Sequence, residues 1–144
     1  QELIDLDQVV TLVLEAWQRA LRSGDDFYLD SVALNLHGFY SGIERIFERL
    51  AETLDGSLPK GENWHQALLV QMSKEVTGIR PAVISQQTLK RLDEYRGFRH
   101  VVRNVYTFHF DEAKLEKLVL GAGDAFAQVR AEVLAFADFL DAQE

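Results

Sequence analysis

Tyr95-Arg96-Gly97-Phe98-Arg99-His100-Val101-Val102-Arg103-Asn104-Val105-Tyr106 is the stretch from which the rest of the chain is read. As a helix it has two unlike faces. Phe98, Val101, Val102 and Val105 recur at three- and four-residue spacings and make an apolar stripe. Arg96, Arg99, Arg103 and Tyr106 make a second stripe, with His100 and Asn104 one turn apart on its flank. A surface helix ordinarily carries charge on its outer face, so spacing alone favours a solvated stripe. Two features weigh against that. No carboxylate follows Glu94 until Asp111, which leaves the arginines without partners three or four residues ahead. The stretch also carries a histidine and a tyrosine. Guanidinium groups gathered in this way suit an anion such as phosphate, with Arg96 and Arg103 as candidate phosphate contacts beside Arg99.

Outward from that helix, the periodicity predicts an all-α chain. Leu3 to Arg22 reads as a first helix, with Leu6, Val9, Val10, Val13, Leu14, Trp17 and Leu21 at helical spacing. Gly24 and Asp25 read as its stop and the next cap. Phe27 to Leu54 reads as a long second helix, in which Gly38 and Gly42, one turn apart, predict close approach of a neighbouring helix. His37 on this helix reads as a hydrogen-bonded structural histidine. Asp55 to Gly61 is a loop by composition, and Asn63 is placed to cap a short third helix carrying Trp64, Leu68, Leu69 and Met72. A second break over Thr77 to Val83 contains Gly78 and Pro81. Ser85 caps the fourth helix, which holds the central stretch and is predicted to run to about Phe108. Asp111 is the predicted cap of a fifth, whose stripe runs from Leu115 to Leu140 and is interrupted by Gly121 and Gly123. The expected architecture is one domain over residues 1–144, an antiparallel bundle of about five helices.

Composition narrows the chemistry. The formal charge of −8 argues against a general nucleic-acid binder with a basic surface, but not against a small cationic site on an acidic body. The chain has no cysteine, which excludes disulfides and thiolate metal sites, and it has no long apolar run or basic-then-apolar leader; a cytoplasmic protein without a membrane partner is the expectation. No phosphate-binding glycine loop, dinucleotide fingerprint or nucleophile elbow is present. Glu62-Asn63-Trp64-His65 has the Glu-x-x-His spacing of di-iron bundles, but a di-iron site needs two copies and two further glutamates, and there is one copy. No metal and no cofactor is expected.

The run Gly97-Phe98-Arg99, four residues, then Asn104-Val105-Tyr106, late in a small all-α chain, resembles the Gly-Phe-Arg-x4-His-x-Tyr signature of the HepT-like branch of the HEPN superfamily. The segments from Asn35 to Glu44 and from Gly61 to His65 look like the same family, so the resemblance covers nearly the whole chain. It implies a homodimer whose motif helices meet near the two-fold axis, acting as a metal-independent endoribonuclease toxin of a toxin–antitoxin pair. It implies a minimal nucleotidyltransferase antitoxin as partner, which in some pairs transfers AMP to the motif tyrosine, here Tyr106. Arg99 is then the residue that holds the RNA phosphate. The family's catalytic histidine is replaced by Asn104, whose carboxamide does not titrate near neutrality. Two residues stand near enough in sequence to substitute. His100 lies one helical turn before Asn104. Arg103 and His109 satisfy a looser arginine–histidine spacing, in a register that abandons Gly97, Phe98 and Tyr106.

Overall fold

The computed structural model describes residues 2–23, 26–104 and 112–143, with the side chains at 2, 26–30, 99–104 and 112 excepted. Five α-helices follow in order: α1 (Glu2–Ser23), α2 (Asp26–Leu50), α3 (Trp64–Met72), α4 (Gln86–Asn104) and α5 (Glu112–Ala142). Among the described residues the only extended pairing is an isolated bridge between Val76 and Arg80. The all-α bundle read from periodicity is what forms. No helix of the described residues is long and apolar enough to cross a membrane.

Each helix buries the stripe its spacing marks out. Leu6, Val10, Val13 and Trp17 of α1 meet Val32, Leu36, Phe39, Ile43 and Phe47 of α2, and α5 adds Leu115, Leu118, Val119, Ala122, Phe126 and Val129. Burying one such side chain is worth about 1.5–3 kcal/mol, so packing, not local propensity, holds the helices. Helices α1 and α2 run antiparallel. Leu6, near the start of α1, lies over Gly42, far along α2.

That contact explains one of the two glycines of α2. A Cβ on Gly42 would collide with the side chain of Leu6, whereas a Cβ on Gly38 would meet nothing within 4 Å. Close approach therefore occurs at Gly42 alone, and the expectation for Gly38 is corrected: the crossing of α1 lies one turn further on. Gly42→Val is expected to lose about 1–3 kcal/mol through overpacking. Gly38→Ala should instead gain up to about 1 kcal/mol of helix propensity. Urea denaturation of the two variants checks this, and equal losses at both positions would contradict it.

The end of α2 departs from the sequence reading. The helix does not run on regularly to Leu54; it widens into a π-turn over Ala51–Asp55, and Gly56 at φ +69° ends it in the left-handed conformation. The widening sets Asp55 against Arg80. Both oxygens of the Asp55 carboxylate accept from the guanidinium, Oδ1 from Nε at 2.7 Å and Oδ2 from Nη2 at 2.8 Å. The remaining Arg80 N–H groups reach the carbonyls of Gln71, Lys74 and Pro81, and Gln71 Nε2 donates to Asp55 Oδ2 at 2.7 Å. All five guanidinium donors are used. Gly78, at φ +79°, permits the tight 76–80 turn that delivers Arg80.

At α3 the sequence reading holds in position but not in mechanism. Asn63 occupies the N-cap, yet its side chain makes no capping bond. The first turn is closed by backbone bonds, Trp64 N–H to Gly61 O at 3.4 Å and Ala67 N–H to Asn63 O at 3.0 Å.

Candidate functional site

Helix α4 is held firmly before it reaches the arginine-rich stretch. Ser85 caps it as read from the sequence, accepting from the Thr88 N–H through Oγ at 3.2 Å. Leu92, Tyr95 and Phe98 face the core. The Tyr95 ring packs edge-on against Phe39 with centroids 5.5 Å apart, and its hydroxyl donates to the Leu118 carbonyl at 2.6 Å. Burial pushes the Tyr95 phenol well above its ordinary value, so it stays a protonated donor. Arg91 Nη1 donates to Gln128 Oε1 at 3.2 Å, and Ser85 N–H to Glu132 Oε2 at 3.4 Å. Pairings of 85 with 132, 91 with 128 and 95 with 118 show that α4 and α5 run antiparallel.

Because α4 continues as helix through Asn104, the register of the motif is fixed even where side chains are not described. Positions 96, 99 and 103 lie along one stripe of the helix, and positions 93, 97, 100 and 104 along the neighbouring one. The calls on the side chains of Arg99, His100, Arg103 and Asn104 lie outside the described residues, as do Tyr106 and His109.

Arg96 is described, and it corrects one expectation. It is not without a local partner: its Nε donates to Asp93 Oδ1 at 2.6 Å, three residues back along the helix. The absence of carboxylates after Glu94 concerned only the forward direction. Both side chains are partly exposed, and an exposed pair of this kind is worth about 0–1 kcal/mol, so an incoming anion can exchange for Asp93.

Beside this part of α4 is a cleft of about 380 Å³. Asp93, Glu94, Arg96, Gly97 and Phe98 line it from α4, and Lys114, Lys117 and Leu118 from α5. Phe98 and Leu118 are buried and form its apolar floor. Lys117 Nζ stands 3.5 Å from Glu94 Oε1 across the rim, both groups largely in solvent. Sequence reasoning passed over the two lysines. A signal was there to find for Lys114, which stands in the first turn of α5, where the helix dipole disfavours cations.

A second cluster of polar groups lies at the start of α3. His65 Nδ1 is 2.7 Å from Glu44 Oε2, close enough for the imidazole N–H to donate to a carboxylate only 4 % exposed. Trp64 lies against the same imidazole with ring centroids 3.6 Å apart. The partner of His65 is thus Glu44 of α2 and not Glu62, the glutamate of its own Glu-x-x-His run. Desolvation, with Glu44 and Glu52 nearby, holds the Glu48 carboxyl above its usual range. Among the described residues no three His, Asp or Glu side chains are grouped to hold a metal ion. The cluster ties α3 to α2.

No curated protein and no solved structure matches the chain. Residues 31–140 match the HepT-like protein family, a span that takes in α3, α4, nearly all of α5, the cleft and the whole Gly97–Tyr106 run. Helix α1 precedes the matched span yet contributes Leu6, Val10, Val13 and Trp17 to the same core. With more than half of its length matched, the chain belongs to the HepT-like family.

Proposed function

We propose that the protein is an RNA-binding toxin of a toxin–antitoxin pair, a dimeric, metal-independent endoribonuclease of HEPN type whose proton-transfer step is weakened by Asn104. The observation that carries this reading is the uninterrupted register of α4 from Gly97 to Asn104 within the family match. Arg99 holds the scissile phosphate by charge-assisted hydrogen bonds, which stabilise the charge that grows on its oxygens. The ribose 2′-oxygen attacks phosphorus, the bond to the 5′-oxygen breaks, and a proton passes from the first oxygen to the second. The imidazole that does this in the family is replaced here by a carboxamide, which orients by hydrogen bonding but carries no proton near neutrality. His100, one turn earlier on the same stripe, is the nearest titratable group in register to take over that transfer.

Arg99→Ala tests the reading. The variant is expected to lose both affinity for single-stranded RNA and any cleavage, while its helical circular dichroism stays unchanged. Unaltered RNA affinity in Arg99→Ala would overturn it.

The motif also supports a second reading, because Tyr106 stands two residues after Asn104, the position at which the resembled family accepts AMP. In that reading the chain is a catalytically degenerate dimer that serves as partner and substrate of a cognate nucleotidyltransferase. Mass spectrometry after incubation with that transferase and ATP should show the added mass of AMP on the peptide holding Tyr106; an unmodified peptide would remove this reading.

A further inference from the structure

We infer that the cleft between α4 and α5 is a nucleotide subsite, in which Lys114 and Lys117 take the backbone phosphate next to the one held by Arg99. This rests on the RNA-binding reading above and adds to it a pair of residues on a different helix.

Three observations converge on the cleft. The first is Gly97. It is helical, it has no positive φ, and a Cβ placed on it would meet nothing within 4 Å. Among the described residues neither backbone conformation nor packing asks for glycine there, although glycine weakens a helix interior. The missing side chain keeps the cleft wall open for a body from outside the chain. The second is the pair of lysines near the start of α5, of which Lys114 stands in the first turn, where the macrodipole works against it. Local choices that run against helix stability concentrate at functional positions, and here two kinds of them line one cleft. The third is register. Gly97 lies on the stripe of α4 that continues to positions 100 and 104, so the cleft adjoins the motif at its first residues, Gly97 and Phe98.

The chemistry of the lining fits one nucleotide of a single strand. Phe98 and Leu118 give an apolar floor on which a base can rest, and the volume of about 380 Å³ leaves room for the base and its sugar. Carboxylates of Asp93 and Glu94 stand on the α4 side beside Arg96, which is paired with Asp93, and ammonium groups of Lys114 and Lys117 stand on the α5 side. The charged groups of the α5 wall are all cationic, so a phosphate is attracted to that wall. The exposed Lys117–Glu94 contact at 3.5 Å is weak enough to yield to a phosphate.

The test uses the whole chain and a mixed-sequence single-stranded RNA 12-mer, with binding followed by fluorescence anisotropy across a salt series. Each phosphate contact to a single strand contributes about 0.7 to the slope of log affinity against log salt. Combining Lys114→Ala with Lys117→Ala removes the one phosphate contact they share and is expected to flatten that slope by about 0.7 and to weaken binding about fivefold at 0.1 M salt. Both lysines are exposed, so the fold should survive, and circular dichroism verifies that. Arg99→Ala is measured alongside. If Arg99→Ala weakens binding and the lysine pair leaves affinity and slope unchanged, the subsite is wrong and the RNA reading stands. If the parent chain binds no RNA, both fall. If the lysine pair changes sedimentation from dimer to monomer without touching the salt slope, the cleft is a subunit contact and the inference fails.

Discussion

Replacing Asn104 with histidine is expected to raise the rate of RNA cleavage by about a hundred- to ten-thousandfold, the range that a well-placed general acid or base contributes. Position 104 is the last described residue of α4 and keeps helical register with Gly97 and Arg99, so the imidazole would enter at the place the family motif gives it. The gain should follow a bell-shaped pH profile with one limb near the ordinary histidine value, about 6.5. RNA affinity should change little, because Arg99, Lys114 and Lys117 are untouched. The measurement is single-turnover cleavage of a labelled RNA by Asn104→His beside the parent chain and beside His100→Ala. A parent activity that collapses in His100→Ala would show the proton carried from one turn earlier. No gain in Asn104→His would mean that the missing imidazole is not what limits the chemistry.

Arg80→Ala is expected to destabilise the protein by about 3–5 kcal/mol, the usual penalty for removing one member of a buried ion pair. The Arg80 side chain is 0 % exposed and that of Asp55 6 % exposed, so the orphaned carboxylate has little water to turn to. The backbone carbonyls of Lys74 and Pro81 lose the guanidinium donor as well, and that of Gln71 keeps the Lys74 N–H. Arg80→Lys should rescue only a part, since an ammonium group cannot make the two-pronged contact with Asp55. The guanidinium of Arg80, together with the Gln71 amide, holds the Asp55 carboxyl below its ordinary value of 3.8. The folded form thus binds that proton less readily than the unfolded chain. The contribution of the pair is present in full above the ordinary carboxylate range and declines as pH falls through the lowered value. Urea denaturation at neutral pH and again at acid pH should show a large gap between parent and variant in the first and a narrower one in the second. A gap that does not narrow in acid would contradict the charge-based account.

How much of this could be read from the residues differs from element to element. Helices α1, α4 and α5 announce themselves through apolar spacing, Ser85 through its place before α4, and the breaks through Gly56, Gly78 and Pro81. These are local signals, each contained within a turn or two of chain. Gly38 and Gly42 look alike in sequence, and only the path of α1 makes one of them necessary. The loss of regular helix at Ala51–Asp55 has no marker in the sequence, because it serves a contact made 25 residues later. Arg96 has no carboxylate ahead of it in reach, and its partner Asp93 lies three residues behind.

By itself the sequence determined the all-α class, the order of the helices, the Ser85 cap, the breaks between helices, and the motif with asparagine in place of histidine; the readings of Gly24, Asp25 and Asp111 lie outside the described residues. These follow from periodicity and residue identity, which act within a single element. Tertiary structure alone decided that His65 meets Glu44 and not Glu62, that Asp55 grips Arg80, that Tyr95 reaches the Leu118 carbonyl, and that two lysines of α5 stand across a cleft from Gly97. Such pairings depend on how helices cross, and the crossing is set by the packing of buried stripes on different elements, which no single stretch of chain encodes.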